Sequence, residues 1–326
     1  MLAEPLSVLS KFLPAGQIAR IEPLTHSGWS GARIWRVWTN EGQMLCLRRW
    51  PPAHPSPERL QLIHAVLAHV ADGGIDFVPV PLAAVGGQTF VEQAGHLWEL
   101  TPWLPGKADS SASPNPVRLS AAMRALARFH RAAAGFSIAA GTAPAIVERL
   151  SLCRRLQAGG FAQLETHVGR GLSQELDQRA RRILERTRDR LASLAARLGA
   201  FEQVAFPLQP AIRDIHREHM LYTEDEVTGL IDFGALRIDT PMADVARLVG
   251  SLVADDAAAR QRALDAYATV RSLSEQDRRA IDLLDESNVV LSGLNWTGWL
   301  YVERRDMGNP APIVRRLDEI LGRLSH

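Results

Sequence analysis

The apolar positions change their spacing twice along the chain. Between residues 18 and 50 they alternate, in "IARIEPL", "GARIWRVWT" and "QMLCLRRW", with a polar break at residues 40–42. Period-two alternation of β-branched and aromatic residues predicts strands, and the short break predicts a hairpin turn. After "PPAHPSP" the spacing becomes helical. Leu60, Ile63, Val66, Leu67 and Val70 share one face of a helix over about residues 58–71. "FVPVPLAA", "TFVEQAG" and "HLWELTPWL" then read as three further strands, and the proline-rich "TPWLPG" closes the region. From about residue 114 helical spacing returns. "VRLSAAMRALARFHRAAAGF" stops near Gly135, and 144–200 reads as two or more helices divided at Gly159 and Gly160. Two short strand-like pieces, "HMLYT" and "VTGLIDF", interrupt before 240–326 return to helix. The expected class is α+β with two lobes: a small β-rich lobe over residues 1–101, and a larger helical lobe over 102–326 with a hairpin embedded in it.

Bulk composition narrows the function without choosing one. Hydrophobic residues make up 46% and charged residues 22%, the values of a globular protein. The formal net charge is +1, so no basic field points to nucleic acid. The arginines are scattered through helical segments and read as solvated faces. Cys46 and Cys153 are the two cysteines. They form no CxxC pattern, which fits free thiols in a reducing cytosol. The start "MLAEPLSVLSKFLP" lacks the basic and apolar regions of a signal peptide, and no apolar run has the length of a membrane span. The expectation is a cytoplasmic protein without nucleic-acid or membrane partners.

The chemistry is concentrated in "IRDIHREHMLYTEDEVTGLIDFGAL", residues 212–236. Asp214 and Asp232 are 18 positions apart, and two strands joined by "TEDE" return the chain close to its start. Both carboxylates then face one cleft, where one can accept a proton and the other hold a metal. His216 and His219 lie between them. A zinc site on this histidine pair finds no matching ligand spacing elsewhere.

This stretch resembles the aminoglycoside phosphotransferase and choline kinase-like family, which has a protein kinase-like bilobal fold. The matching pieces are "RD", then "VTGLIDFG", then "IDTPMADVARLV". The resemblance spans roughly residues 15–325. It implies an ATP- or GTP-dependent phosphotransferase with magnesium or manganese and a small-molecule hydroxyl acceptor. It assigns Asp214 as catalytic base, Asp232 as principal metal ligand, and Asp244 as a brace of the catalytic loop. The departures are as specific as the matches. Ile212 and Arg213 replace the family's histidine and glycine. His219 stands where asparagine supplies a second metal ligand. His219 is open to three readings: a magnesium ligand, a preference for a softer ion such as manganese, or a phosphate or substrate contact.

The first lobe is expected to cradle the nucleotide. Gly28 and Gly31 in "THSGWSGARIWRV" allow a backbone turn to approach phosphates closely. Arg48 stands where such kinases carry a phosphate-pairing lysine, and Arg49 faces the other way. The following helix offers Glu58, Gln61 and His64, none of them a well-placed ion-pair partner for Arg48. The backbone of residues 99–101, from Glu99 to Thr101, is expected to meet an adenine edge. Trp103 and His130 read as packing. Trp296, Trp299 and Tyr301, with Asp285, Glu286 and Glu303 nearby, are either an acceptor wall or helical core. Two other function classes stay open: a nucleotide-binding pseudokinase or scaffold, motivated by His219 and the absent helix glutamate, and a metal-assisted hydrolase using His216 and His219.

Overall fold

The computed structural model describes residues 3–14, 16–24, 31–109, 115–137, 139–170, 172–305 and 309–325. Helix α1 (Ala3–Leu9) leads into strands β1 (Ile18–Pro23), β2 (Arg33–Thr39) and β3 (Met44–Arg49). Helix α2 (Pro57–Asp72), β4 (Val91–Gln93) and β5 (His96–Pro102) follow. The five strands form one antiparallel sheet in the order β1-β2-β3-β5-β4. Alternation in β2 puts Trp35 and Val37 inside, against Val8 and Leu9 of α1 and Leu45, Leu47, Trp98 and Leu100 of the neighbouring strands. Trp35 and Trp98 stack with centroids 5.3 Å apart.

Helix α2 starts where the sequence dictates. Ser56 caps the Arg59 N–H, and Pro57 occupies the first turn, where its missing N–H costs nothing. The stretch "FVPVPLAA", expected as a strand, forms none. Pro79 and Pro81 remove alternate donors from any ladder. Isolated backbone bonds remain, among them Leu82 N–H to the Leu100 carbonyl at 2.8 Å and Leu230 N–H to the Phe77 carbonyl at 2.7 Å.

The second lobe is helical, with two small three-stranded sheets. Its elements are β6 (Lys107–Ala108), α3 (Pro116–Ala133), β7 (Ala139–Thr142), α4 (Pro144–Arg155), α5 (Phe161–His167), α6 (Gln174–Arg188), α7 (Arg190–Ala200), β8 (Ala205–Ala211), β9 (Met220–Thr223), β10 (Glu226–Leu230), β11 (Arg237–Asp239), α8 (Met242–Val253), α9 (Ala257–Ala268), α10 (Glu275–Thr297) and α11 (Pro310–Arg323). Strands order as β10-β9-β6 and β11-β8-β7. The embedded β9–β10 hairpin turns at Glu224 and Asp225, as the pattern predicts. Strands β6, β7, β8 and β11 were not legible. They are short, and Pro207 and Pro210 break the alternation of β8. One continuous core runs through this lobe, with Phe129, Phe206, Ile212, Leu248 and Leu284 fully buried. The aromatic cluster after α10 divides. Trp296 and Tyr301 are buried, whereas Trp299 lines an open cavity of about 560 Å³ between the ends of α4 and α10.

Candidate active site

The loop after β8 is held from behind by a buried carboxylate. Asp244, in the first turn of α8, accepts the Ile212 N–H at 2.6 Å and the Arg213 N–H at 2.7 Å. Its Oδ2 also meets His130 Nε2 at 3.1 Å, and His130 Nδ1 meets the Tyr267 hydroxyl at 2.9 Å. Burial, opposed by Asp244, holds the His130 pKa below the ordinary histidine value. His130 is therefore part of the brace, not only helix packing. The replacement of glycine by Arg213 falls at a left-handed backbone position, with φ of 71°. The Arg213 side chain makes ion pairs with fully buried Asp239 and, at 2.6 Å, with Glu148. These contacts hold a conformation that glycine would adopt without strain.

The loop ends in a short turn at Arg217–His219, which feeds β9. The Ile231 N–H donates to the His219 carbonyl at 3.0 Å, extending the β9–β10 pairing by one step. This bond draws Asp232 beside His219. His219 Nε2 lies 3.7 Å from Asp232 Oδ2. Asp232 itself has φ of 66°, another left-handed residue, and its side chain is 45% exposed. The His216 and His219 rings lie against each other, with centroids 3.7 Å apart. Burial pushes both imidazoles toward the neutral form, His216 down to about 3 with His219 contributing. His219 Nδ1 is buried and makes no hydrogen bond of ordinary geometry, although the Asp214 carbonyl lies near enough to favour protonation.

Asp214 points toward the helical lobe, its side chain 51% exposed, and forms an ion pair with Arg247 of α8. Burial opposes its charge, but Arg247, His216 and His219 outweigh burial and keep the carboxyl below its usual pKa. It is thus ionised at neutral pH, as a proton acceptor must be.

The sheet brings Arg48 beside Asp232. Its NH1 lies 3.7 Å from Asp232 Oδ1, and its guanidinium covers the Trp50 ring at 4.7 Å. The residue that sequence reasoning missed is its partner. Arg48 Nε lies 3.6 Å from Glu99 Oε1, across the β3–β5 pair Arg48↔Glu99. Glu99 Oε2 in turn meets His64 Nε2 at 2.7 Å, and His64 Nδ1 meets the Thr89 hydroxyl at 2.7 Å. Helix α2 therefore does supply an inward group, His64, but the carboxylate comes from β5. Burial opposes the charge of Glu99, and the His64 hydrogen bond and Arg48 overcome it. For Arg48, Glu99 and Asp232 overcome burial and hold the pKa above the ordinary arginine value.

The same ladder bears on the adenine contact expected from residues 99–101. Trp50 N–H reaches the Leu97 carbonyl at 2.8 Å and Trp103 N–H reaches the Met44 carbonyl at 3.0 Å. Bonded pairs alternate along an antiparallel ladder, so Arg48↔Glu99 and Cys46↔Thr101 are bonded pairs too. The backbones of Glu99 and Thr101 face β3. The alternation turns the Leu100 and Pro102 carbonyls away from β3, and the Leu100 carbonyl accepts the Leu82 N–H. Gly31 has φ of 74°, a left-handed backbone position. Gly28, the other expected glycine, lies outside the described residues.

Asp232 and His219 suit a divalent cation that brings most of its own ligands. Metal–oxygen lengths near ~2.1 Å put neighbouring donors of an octahedral ion roughly 3 Å apart, and 3.7 Å needs only a small adjustment. Among the described residues no cluster of three histidine, cysteine, aspartate or glutamate side chains forms a self-sufficient metal site. Two protein donors suffice where phosphate oxygens and water complete the shell. The histidine pair has no third ligand for zinc.

Residues 21–284 match the model of the phosphotransferase enzyme family. Among solved structures, the spectinomycin phosphotransferase in its AMP-bound form superposes with a TM-score of 0.69 at 10% identity, covering 99% of this chain and 98% of that one. Amicoumacin kinase in complex with AMP-PNP, Ca2+ and its antibiotic gives 0.66 at 14% identity, covering 99% and 92%. The aminoglycoside phosphotransferase of Alicyclobacillus acidocaldarius gives 0.63 at 16% identity, covering 98% and 94%. At these identities the superpositions establish the fold, a bilobal kinase-like α+β architecture. No curated protein sequence matches the chain. Among the described residues no helix is long and apolar enough to cross a membrane.

Proposed function

The chain belongs to the phosphotransferase enzyme family, and on that premise we propose that it transfers the γ-phosphoryl group of ATP or GTP to a hydroxyl of a small molecule. Residues 1–101 form the nucleotide lobe, and 102–326 carry the catalytic loop and the acceptor region. The observation that carries this reading is the convergence of Asp214, Asp232, His219 and Arg48, from both lobes, on one cleft. Arg48 binds phosphate oxygens in a fixed fork, oriented from behind by Glu99 and His64. The Gly31 turn covers the phosphates. The Pro102 carbonyl receives the adenine edge. Asp214 takes the proton of the acceptor hydroxyl, whose oxygen attacks the γ-phosphorus as the bond to the leaving nucleoside diphosphate breaks. Asp232 and His219 would hold a magnesium or manganese ion, whose chemistry is to neutralise charge on the transferring group.

The test is phosphoryl transfer from ATP or GTP to a panel of sugars, amino alcohols, hydroxy acids and aminoglycosides, with magnesium or manganese. Transfer to one acceptor class, lost in Asp214→Asn, supports the reading. Transfer unchanged in Asp214→Asn contradicts the role of the base. His219→Asn is expected to lower the ratio of manganese to magnesium activity. An unchanged ratio places His219 off the metal.

The second reading is a nucleotide-binding pseudokinase or scaffold. It is favoured by the Asp214–Arg247 ion pair and by histidine at position 219. Metal-dependent nucleotide binding with no transfer to any hydroxyl compound is its signature.

A further inference from the structure

Three side chains beside the catalytic loop keep at least one donor that no carboxylate accepts: Arg149, Arg247 through Nε and Asn288 through Nδ2. Arg149 of α4 is partly buried. It donates to the Ala145 carbonyl at 2.9 Å and to Asn288 Oδ1 at 2.7 Å, and no carboxylate of the described residues forms an ion pair with it. Burial, with Arg213 and Arg247 as positive neighbours and Glu148 opposing them, lowers its pKa to about 9. Arg247 of α8 meets Asp214 through NH2, and its Nε is buried without a hydrogen-bond acceptor. Asn288 of α10 spends its oxygen on Arg149 and leaves Nδ2 buried without an acceptor. Buried donors without acceptors are rare and ask for a reason. An arginine with two positive neighbours and no acid in direct contact costs stability unless something else supplies negative charge.

Contrast the arginines around them. Arg213 has Asp239 and Glu148, and Arg48 has Glu99, while Arg237 has Glu148 and, like Arg247, a buried Nε without an acceptor. The unmatched donors belong to three helices that meet at one level, next to the residue proposed to activate the acceptor.

We infer that the acceptor carries an anionic group, a carboxylate or a phosphate monoester, beside its reactive hydroxyl, and that Arg149 and Arg247 hold that group. The inference rests on the phosphotransfer reading of the cleft. Arg247 exchanges its contact with Asp214 for the ligand anion, which frees the carboxylate to face the hydroxyl. Asn288 orients Arg149 and offers Nδ2 to the same anion. A cationic acceptor, such as an amino alcohol or aminoglycoside, meets repulsion there.

The direct probe is malonate, a dicarboxylate with no hydroxyl, titrated calorimetrically into protein saturated with AMP-PNP and magnesium, so that Arg48 is already engaged. One binding site is expected. Arg149→Gln is expected to weaken it by about tenfold or more, the scale of a lost charge-assisted contact, and to leave AMP-PNP affinity unchanged. Because Arg149→Gln alters a partly buried residue, Asn288→Asp is the second variant. It gives Arg149 an acid at hydrogen-bond distance, favours the fold, and should weaken malonate equally. No malonate binding, or binding that both variants leave intact, overturns the inference. Absence of AMP-PNP binding contradicts the phosphotransfer reading alone, since malonate titrated without nucleotide still reads the anion site. In transfer assays on one scaffold, glycerate and glycerol 3-phosphate separate carboxylate from phosphate. At least one of them should exceed glycerol and 3-amino-1,2-propanediol in kcat/KM by about tenfold or more. Preference for the neutral or cationic member overturns the inference.

Discussion

Two aspartates of one loop-and-hairpin unit sit in opposite electrostatic settings. Asp232 faces an arginine from the first lobe that already has another acid. Arg48 is shared with Glu99, and both of its acid contacts are loose, at 3.6 and 3.7 Å. Asp214 faces an arginine from the second lobe that has no other acid, and the two are in direct contact. The difference separates the two halves of the proposed reaction. On the nucleotide side the cation is pre-oriented and its charge balanced, so it can pass to phosphates without a large rearrangement. On the acceptor side the cation is held by the base itself and must be drawn off before the base can work. The comparison predicts that substitutions on the two sides fail in different ways.

The largest effect belongs to the acceptor side. Asp214→Asn should keep metal-dependent nucleotide binding and lose transfer rate by about a hundredfold or more, the scale of general-base removal. Rapid-quench measurement of transfer beside nucleotide binding checks it. Weakened binding with normal turnover would make Asp214 structural. A smaller effect is expected from the nucleotide-side relay. Glu99→Gln removes the charge that orients Arg48, and should raise KM for ATP by about tenfold with a lesser change in kcat. A selective fall in kcat instead would show that Glu99 acts on the transfer step, not on nucleotide holding.

The smallest effect is one of stability. His130 is buried and resists protonation in the fold, whereas in the unfolded chain it takes a proton near its usual value of about 6.5. The unfolded state therefore binds more protons as pH falls below about 6.5, and stability falls with it until the folded pKa is passed. His130→Gln should flatten this acid-side slope in denaturation curves taken between pH 7 and 5. Parallel curves for the two proteins would contradict the assignment.

What the sequence makes legible follows from how each feature is encoded. The β9–β10 hairpin and its flanking aspartates are local: a polar turn between two apolar runs, with carboxylates at both ends. Arg48 and its orientation follow from strand alternation, as does the opposite facing of Arg49, which pairs with Glu4 of α1. Glu99 is not legible in that way. Strand β5 is buried on both faces from Leu97 to Thr101, so alternation gives no hint that a glutamate in "HLWEL" points at Arg48. Arg149 and Arg247 are hidden for the opposite reason. Arg149 lies on an arginine-rich helix, where a solvated face is the ordinary reading, and Arg247 is the lone arginine of the largely buried α8; only the packing of α4, α8 and α10 reveals that these two turn toward the loop. His130 and Asp244 are 114 positions apart, and only the tertiary fold joins them.

The central claim is that the two carboxylates divide the work, Asp232 for the nucleotide and Asp214 for the acceptor. The measurement that tests it most directly is calorimetric titration of AMP-PNP, with and without magnesium, into the wild-type protein, Asp232→Ala and Asp214→Asn. The account predicts magnesium-dependent binding in the wild type and in Asp214→Asn, and its loss in Asp232→Ala, with all three proteins melting cooperatively. Magnesium-dependent binding that survives intact in Asp232→Ala would contradict it.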